Sequence, residues 1–146
     1  MDPAASYDFS ADSSRLDPEW IHRLLRSTYW AQGRSREDQD HLLRTSRNYG
    51  VYVSSTGAQV GYARIVTDEV TFAWLADVVI DPAHRRMGLG RLLIDGLLED
   101  LAPMGLRRVV LKASQEGRAL YEQKGWQLLD APDDWGVSPI CEGVLP

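Results

Sequence analysis

The spacing of hydrophobic positions changes along the chain, and this change predicts the order of helices and strands. Two helices come first, because Asp17-Pro18 suits a helix start and Ser35 stands at capping-box distance from Asp38. Apolar segments with strand character follow at residues 49–53, 60–66 and 70–80, separated by polar turns. With a short strand at residues 6–10, they predict an antiparallel meander.

The second half of the chain alternates between helix and strand. Pro82 ends the third apolar strand, and residues 88–101 carry leucines on one helical stripe. Residues 107–111 form another apolar strand, followed by a helix at residues 115–124 and a strand at 127–129. A strand, a helix and a strand in succession predict a parallel pair with a right-handed crossover. The fold class is therefore α+β, with a mixed and mostly antiparallel sheet.

Composition favours one ordinary globular domain over residues 1–146, in the usual size range for a single core. The net charge of -5 argues against nucleic acid as a partner, and no apolar run is long enough to cross a membrane. The three histidines are far apart and lack ligand spacing, so no metal is expected. With the lone Cys141 and no leader-like segment, we expect a cytoplasmic protein.

The junction between the third apolar strand and the leucine-rich helix combines three features that bind phosphate. Gly88 and Gly90 allow a close approach to backbone N–H groups, the following helix offers unpaired donors at its positive end, and Arg85, Arg86 and Arg91 add charge. A pyrophosphate fits such a loop. The pattern lacks the third glycine of a dinucleotide-binding fingerprint and the Gly-Lys-Ser/Thr of a Walker loop. The alternative is a tight turn without a ligand.

With these neighbours, Arg85-x-x-Gly88-x-Gly90 resembles the signature of the GNAT acyltransferase superfamily. The resemblance extends to the apolar strand that ends at Asp81-Pro82, to the leucine-rich helix, and to Tyr121-x-x-x-Gly125-Trp126. It implies a sheet of six or seven strands flanked by about four helices and splayed open between strands 4 and 5. It also implies that acetyl-coenzyme A is the cosubstrate.

By position, the resemblance assigns the cofactor contacts to two segments and one separate residue. Backbone groups of the strand end would bind the pantetheine, the glycine loop would bind the pyrophosphate, and Tyr121 would protonate the departing thiolate as general acid. Ser114 stands where relatives often carry Asn, which leaves that contact open. The full set is Val78, Val79, Ile80, Arg85, Arg86, Met87, Gly88, Leu89, Gly90, Arg91, Ser114 and Tyr121.

Asp77 is the one acid in the apolar strand and the first candidate for the catalytic base. A buried carboxylate is costly without a partner or a task, so Asp77 is a base, an anchor for the incoming amine, or a structural group bonded to loop N–H groups. If side chains alternate strictly along the strand, Asp77 points to the face opposite to that of Ala76 and Val78. A bulge would change the face to which Asp77 points. Position 76 is Ala, where many relatives carry Glu.

The acceptor is predicted to be an amine of a small molecule or of a peptide, and its chemistry stays open. Tyr29, Trp30, Trp74 and Trp135 could line an apolar or aromatic pocket, whereas Glu69, Asp77, Asp133 and Asp134 could favour a cationic amine. The leading hypothesis is direct acetyl transfer in a ternary complex. The alternative is a catalytically weak acyl-coenzyme A sensor or interaction module. A homodimer is an expectation from the resemblance alone.

Overall fold

The computed structural model describes residues 6–127, and its strands form one sheet in sequence order. The strands are β1 (Tyr7–Ser10), β2 (Arg47–Val53), β3 (Gln59–Thr67), β4 (Phe72–Ile80) and β5 (Arg108–Leu111). The first four pair antiparallel, and β4 pairs with β5 in parallel. The predicted mixed sheet and the parallel pair of β4 and β5 are therefore confirmed. The expected count of six or seven strands is corrected to five within the described residues.

The helices are α1 (Pro18–Leu25), α2 (Arg36–Thr45), α3 (Leu89–Leu101) and α4 (Arg118–Gln123). The predicted caps are present, since the side chains of Asp17 and Ser35 accept from the N–H groups of Trp20 and Asp38. None of the helices within residues 6–127 is long and apolar enough to span a bilayer. Most of the predicted strand at 127–129 lies outside the described residues, and Gln127 itself is not in a strand.

The start of β4 differs from the prediction because Asp68 organises the preceding turn. Its carboxylate accepts from the N–H groups of Val70, Thr71 and Phe72, and this holds the chain in a turn until residue 72. The strand therefore begins two residues later than its apolar pattern predicts. Thr67 and Glu69 belong to the same hairpin end.

The two faces of the sheet are covered by different helices. Trp20, Ile21 and Leu25 of α1 pack with Tyr62 and Val79. Helix α3 joins β2 through Asp100, whose carboxylate accepts from Tyr49 Oη at 2.6 Å. Tyr49, which contacts α3, is opposite Ala63 in the register and shares its face of the sheet. The next residue, Tyr62, contacts α1 and points to the other face, so α1 and α3 lie on opposite faces.

By contacts, the chain divides into two compact units, Met1–Lys112 and Ala113–Pro146. The five strands and α1 to α3 belong to the first unit, and α4 belongs to the second. The single domain over residues 1–146 stays a prediction.

Candidate functional site

The edge of β4 that faces β5 is open along its second half. The parallel register runs from Phe72 and Arg108 to Leu75 and Leu111, so residues 76–80 have no strand partner on that side within the described chain. The Asp81 N–H donates to Val60 O of β3 at 2.8 Å. Since successive N–H groups of a strand alternate between its edges, those of Ile80 and Val78 point to the open side. Strand pairing on this side thus ends at Leu75, next to the stretch where the resemblance implies a splay between strands 4 and 5.

The loop after β4 presents unpaired backbone donors. Arg86 and Gly88 have left-handed φ angles of 65° and 75°, and Gly88 is the N-cap of α3 without any side-chain cap bond. Within residues 6–127, the N–H groups of Met87, Gly88, Leu89 and Gly90 have no acceptor. A Cβ at Gly88 would meet no atom within 4 Å, so this stretch is open to solvent.

The same loop carries two positive charges and is attached to helix α1. Arg85 and Arg86 are exposed, and neither guanidinium has an ion-pair partner in the described part of the chain. Asp81 accepts from Ala83 N–H at 2.9 Å and from Trp20 Nε1 at 3.4 Å, which ties the loop to α1. The arrangement can hold a pyrophosphate, because free amides, a helix N-terminus and two cations converge on one exposed stretch.

Asp77 lies at a bulge in β4 and binds two arginines. The register passes from Tyr62 opposite Val79 to Arg64 opposite Ala76, so two β4 residues face Ala63, and Asp77 has a φ of 57°. The bulge that would change the parity of this strand is therefore present. Asp77 Oδ2 accepts from Arg34 Nη1 and from Arg64 Nε, each at 2.7 Å.

Two further side chains complete what we call the Asp77 cluster, formed by Trp30, Arg34, Gln39, Arg64 and Asp77. Trp30 Nε1 donates to Asp77 Oδ1 at 2.9 Å, and Gln39 Oε1 accepts from Arg34 Nη1 at 3.0 Å. Burial would by itself raise the pKa of Asp77, but the hydrogen bonds and charges of the arginines outweigh it and lower the pKa. The carboxylate is consequently ionised at neutral pH.

The aromatic candidates fall into two places. Tyr29 and Trp30 lie in the loop between α1 and α2, are 61% and 42% exposed, and contact each other edge to face at 5.1 Å. Trp74 is half-buried on β4 opposite Val66, on the face that carries Arg64. Glu69 lies elsewhere, at the hairpin end, 3.6 Å from Arg47. Trp135, Asp133 and Asp134 are outside the described residues.

In the second unit, Tyr121 is buried on α4 and packs edge to face against Trp126 at 5.7 Å. Burial raises the pKa of Tyr121 to about 12, so its phenol is protonated at neutral pH. Ser114 Oγ accepts from the Gly117 N–H at 3.1 Å and fixes the turn before α4. A Cβ at Gly117 would lie 3.1 Å from the Tyr121 ring, so glycine leaves room for that ring.

Sequence reasoning missed Arg34, Gln39 and Arg64. A signal existed for Arg64, because it is a lone charge within an apolar strand, as Asp77 is in the next strand. Arg34 and Gln39 flank a helix start and carry no comparable pattern. No group of three potential metal ligands occurs within residues 6–127.

A polar cleft of about 390 Å³ lies at the other end of the sheet, lined by residues that include Arg44, Ser46, Asn48 and Thr67. It shares no residue with the glycine loop or with the Asp77 cluster. Strand register separates the cleft from the glycine loop, since the loop follows the end of β4 opposite Gly61, whereas Thr67 ends β3. The cleft adjoins the Asp77 cluster through Ser46, whose Oγ accepts from Arg64 Nη1 at 3.4 Å.

Comparison with known proteins agrees with this geometry. The sequence model of the Acetyltransferase (GNAT) family matches residues 15–126. A solved structure from Xanthomonas campestris pv. campestris, assigned to the GNAT acetyltransferases, superposes with a TM-score of 0.84 at 32% identity, covering 91% of this chain and 92% of that one. The open strand edge and glycine loop thus occur in an acyltransferase fold. The chain belongs to the GNAT acetyltransferase family.

Two further relatives are similar over most of this chain. An uncharacterized N-acetyltransferase of Prochlorococcus marinus is 32% identical over 115 residues, which are 77% of this chain and 64% of that protein. The GCN5-related N-acetyltransferase 1 of Arabidopsis thaliana is 30% identical over 106 residues, which are 70% of this chain and 54% of that protein. The chain therefore spans about half to two thirds of these relatives.

Proposed function

We propose that this protein transfers the acetyl group of acetyl-coenzyme A to an amine by direct attack in a ternary complex. The observation that carries the proposal is the row of unpaired N–H groups at residues 87–90, directly after a strand whose outer edge is open. Met87 to Gly90 and the cations of Arg85, Arg86 and Arg91 would bind the pyrophosphate. The N–H groups of Val78 and Ile80, with Val79 between them, would bind the pantetheine amides.

Acetyl-coenzyme A supplies the electrophile, a thioester carbonyl, and the protein supplies position and proton control. Holding two reactants together removes much of the entropic barrier of a bimolecular step. Tyr121 is the proposed donor of a proton to the sulfur that departs, because its phenol carries a proton at neutral pH. Ser114 stays a weaker candidate for a cofactor contact, because its hydroxyl already accepts a backbone bond.

For Asp77 we propose an anchoring role and not that of general base. A base is most effective with a pKa near the working pH, and two guanidinium groups hold this carboxylate ionised. Its bonds fix Trp30, Arg34 and Arg64 beside the bulge. Proximity and solvent would then account for loss of the amine proton.

The Asp77 cluster also favours a second candidate, an acyl-coenzyme A sensor with weak catalysis. Asp77 is the one acidic residue of β4, and its carboxylate is already bound by Arg34 and Arg64. No carboxylate of this strand is therefore left to act as the base. Calorimetry with coenzyme A and a free-thiol assay over a panel of amines separate the candidates. Binding with turnover supports the enzyme, and binding without turnover on any amine supports the sensor. Absence of binding contradicts both.

Tyr121→Phe tests the acid role. We expect a fall in kcat of about 100-fold with coenzyme A affinity unchanged, because the phenyl ring keeps the packing and loses the proton. The matched control is Tyr29→Phe, which removes the hydroxyl of an exposed tyrosine. Equal kcat values for Tyr121→Phe and the parent would exclude the general-acid assignment.

A further inference from the structure

The Asp77 cluster contains more positive than negative charge. Arg34 and Arg64 both pair with Asp77. The side chains of the two arginines are 17% and 13% exposed, and that of Asp77 is 2% exposed. No other carboxylate within residues 6–127 lies within ion-pair distance of either arginine. One positive charge is therefore left over in a largely desolvated place, which is costly unless an anion or solvent compensates it.

Hydrogen-bond donors in the cluster also exceed the acceptors. Arg34 Nε and Arg64 Nη2 have no acceptor within the described residues. Neither atom is fully enclosed, so both are accessible from outside. Gln39 is completely buried, and its Nε2 has no partner although its Oε1 accepts from Arg34. A ligand group rich in acceptor oxygens would satisfy the two accessible arginine donors, and a guanidinium fork matches carboxylate and phosphate.

The cluster lies beside the part of the strand that the proposed reaction uses. Arg64 is directly opposite Ala76 in the register, and Ala76 begins the section of β4 that lacks a partner on its outer edge. Ala76 is small and half-buried, and Trp74 lies on the same face. The surface of β4 opposite Arg64 is therefore partly exposed to solvent.

We propose that the acceptor amine carries an anionic group, a carboxylate or a phosphate, which binds to Arg64 and Arg34. This inference rests on the proposed acetyl transfer and narrows its acceptor class. The surplus charge opposes a purely cationic amine, which the acids Asp77 and Glu69 had suggested. Arg64 and Arg34 select the acceptor, and Asp77 holds both in position.

Matched pairs of amines test the proposal. The wild-type protein is assayed with 3-aminopropanoate against 3-aminopropan-1-ol, and with O-phosphoethanolamine against ethanolamine, with kcat/KM expressed per free amine. We expect the anionic member of at least one pair to be preferred about 10- to 100-fold, as is typical for hydrogen bonds between charged groups. The pair that shows the preference distinguishes carboxylate from phosphate. Equal or lower kcat/KM for both anionic amines overturns the proposal.

Variants assign the preference to the cluster. Arg64→Gln should bring the ratio close to one by raising KM, and Arg64→Lys should keep part of it. Asp77→Asn should keep or increase the ratio, because it removes a negative charge from the cluster and keeps one oxygen that can accept from the arginines. Arg44→Gln removes the same charge from an exposed position outside the cluster and should leave the ratio unchanged. An unchanged ratio in Arg64→Gln, with native circular dichroism, would contradict the assignment.

A binding measurement separates this proposal from the acetyl transfer itself. Propionate and inorganic phosphate are titrated while the melting temperature is followed, with propionamide as the neutral control. We expect at least one anion to raise the melting temperature of the wild type more than that of Arg64→Gln. A shift without turnover on any amine would refute the transferase and retain the anion site. No shift with either anion would refute the anion site, whatever the turnover.

Discussion

The glycine loop and the Asp77 cluster lie at opposite ends of the same half of β4, and they are built in different ways. The loop uses backbone N–H groups of four consecutive residues, positioned by left-handed φ angles at Arg86 and Gly88. The cluster uses side chains that come together from positions 30 to 77, across four segments of the chain. A backbone site is a property of a short sequence, whereas a side-chain cluster depends on the register of the whole sheet.

This difference predicts that substitutions in the cluster cost folding stability, whereas substitutions in the loop cost ligand binding. The largest effect is expected for Asp77→Ala, which leaves Arg34 and Arg64 without their carboxylate. Breaking a buried ion pair on one side typically costs about 3–5 kcal/mol. Urea unfolding of the variant and the parent measures the loss. The exposed pair of Arg36 and Asp40 offers the control, because Asp40→Ala should cost less than about 1 kcal/mol.

In the loop, Gly88→Glu should weaken coenzyme A binding about 100-fold, because a carboxylate at the helix N-terminus would occupy and repel the pyrophosphate position. Calorimetry measures this. Gly88→Ala and Gly57→Ala form a matched pair, since both glycines have a φ of 75° and open space around the missing Cβ.

Both alanine variants should lose about 1–2 kcal/mol of unfolding free energy through backbone strain. Only variants at position 88 should change coenzyme A affinity. If Gly57→Glu weakened binding as much as Gly88→Glu, the loop would not be the pyrophosphate site.

Acid should separate Asp77→Asn from the parent in a defined direction. The pKa of Asp77 is lowered in the folded protein from the ordinary 3.8, so its ionised form stabilises the fold. That stabilisation is fully present above the unfolded value and is lost as the pH falls through the lowered folded value. The unfolding free energy of the parent should exceed that of Asp77→Asn by about 1–3 kcal/mol at pH 6, and the difference should shrink below pH about 4. A difference that grew with acid would contradict the ionised carboxylate.

Trp30→Phe should have the smallest effect, about 1 kcal/mol or less of unfolding free energy, because it removes one partly exposed hydrogen bond to Asp77 and keeps an aromatic ring. Tyr29→Phe removes no bond to the cluster and serves as the reference. The difference in melting temperature between the two variants measures what the hydrogen bond from Trp30 to Asp77 contributes to stability.

The sequence by itself determined the parts that depend on neighbours in the chain. Helix caps at Asp17 and Ser35, the meander and the glycine loop all follow from local chemistry and spacing, and the structure confirms the elements they predict. Where local chemistry was read incompletely, the boundary was wrong, as at Asp68, whose carboxylate delays the start of β4.

Only the tertiary structure decided the surroundings of Asp77. The bulge opposite Ala63 and the pairing of β3 with β4 bring Arg64 to the carboxylate, and the loop between α1 and α2 adds Trp30 and Arg34. Spacing along the chain does not predict these side-chain contacts, because strand register is fixed by packing across the sheet. A lone charge in each of two adjacent strands was the one sign of this ion pair in the sequence.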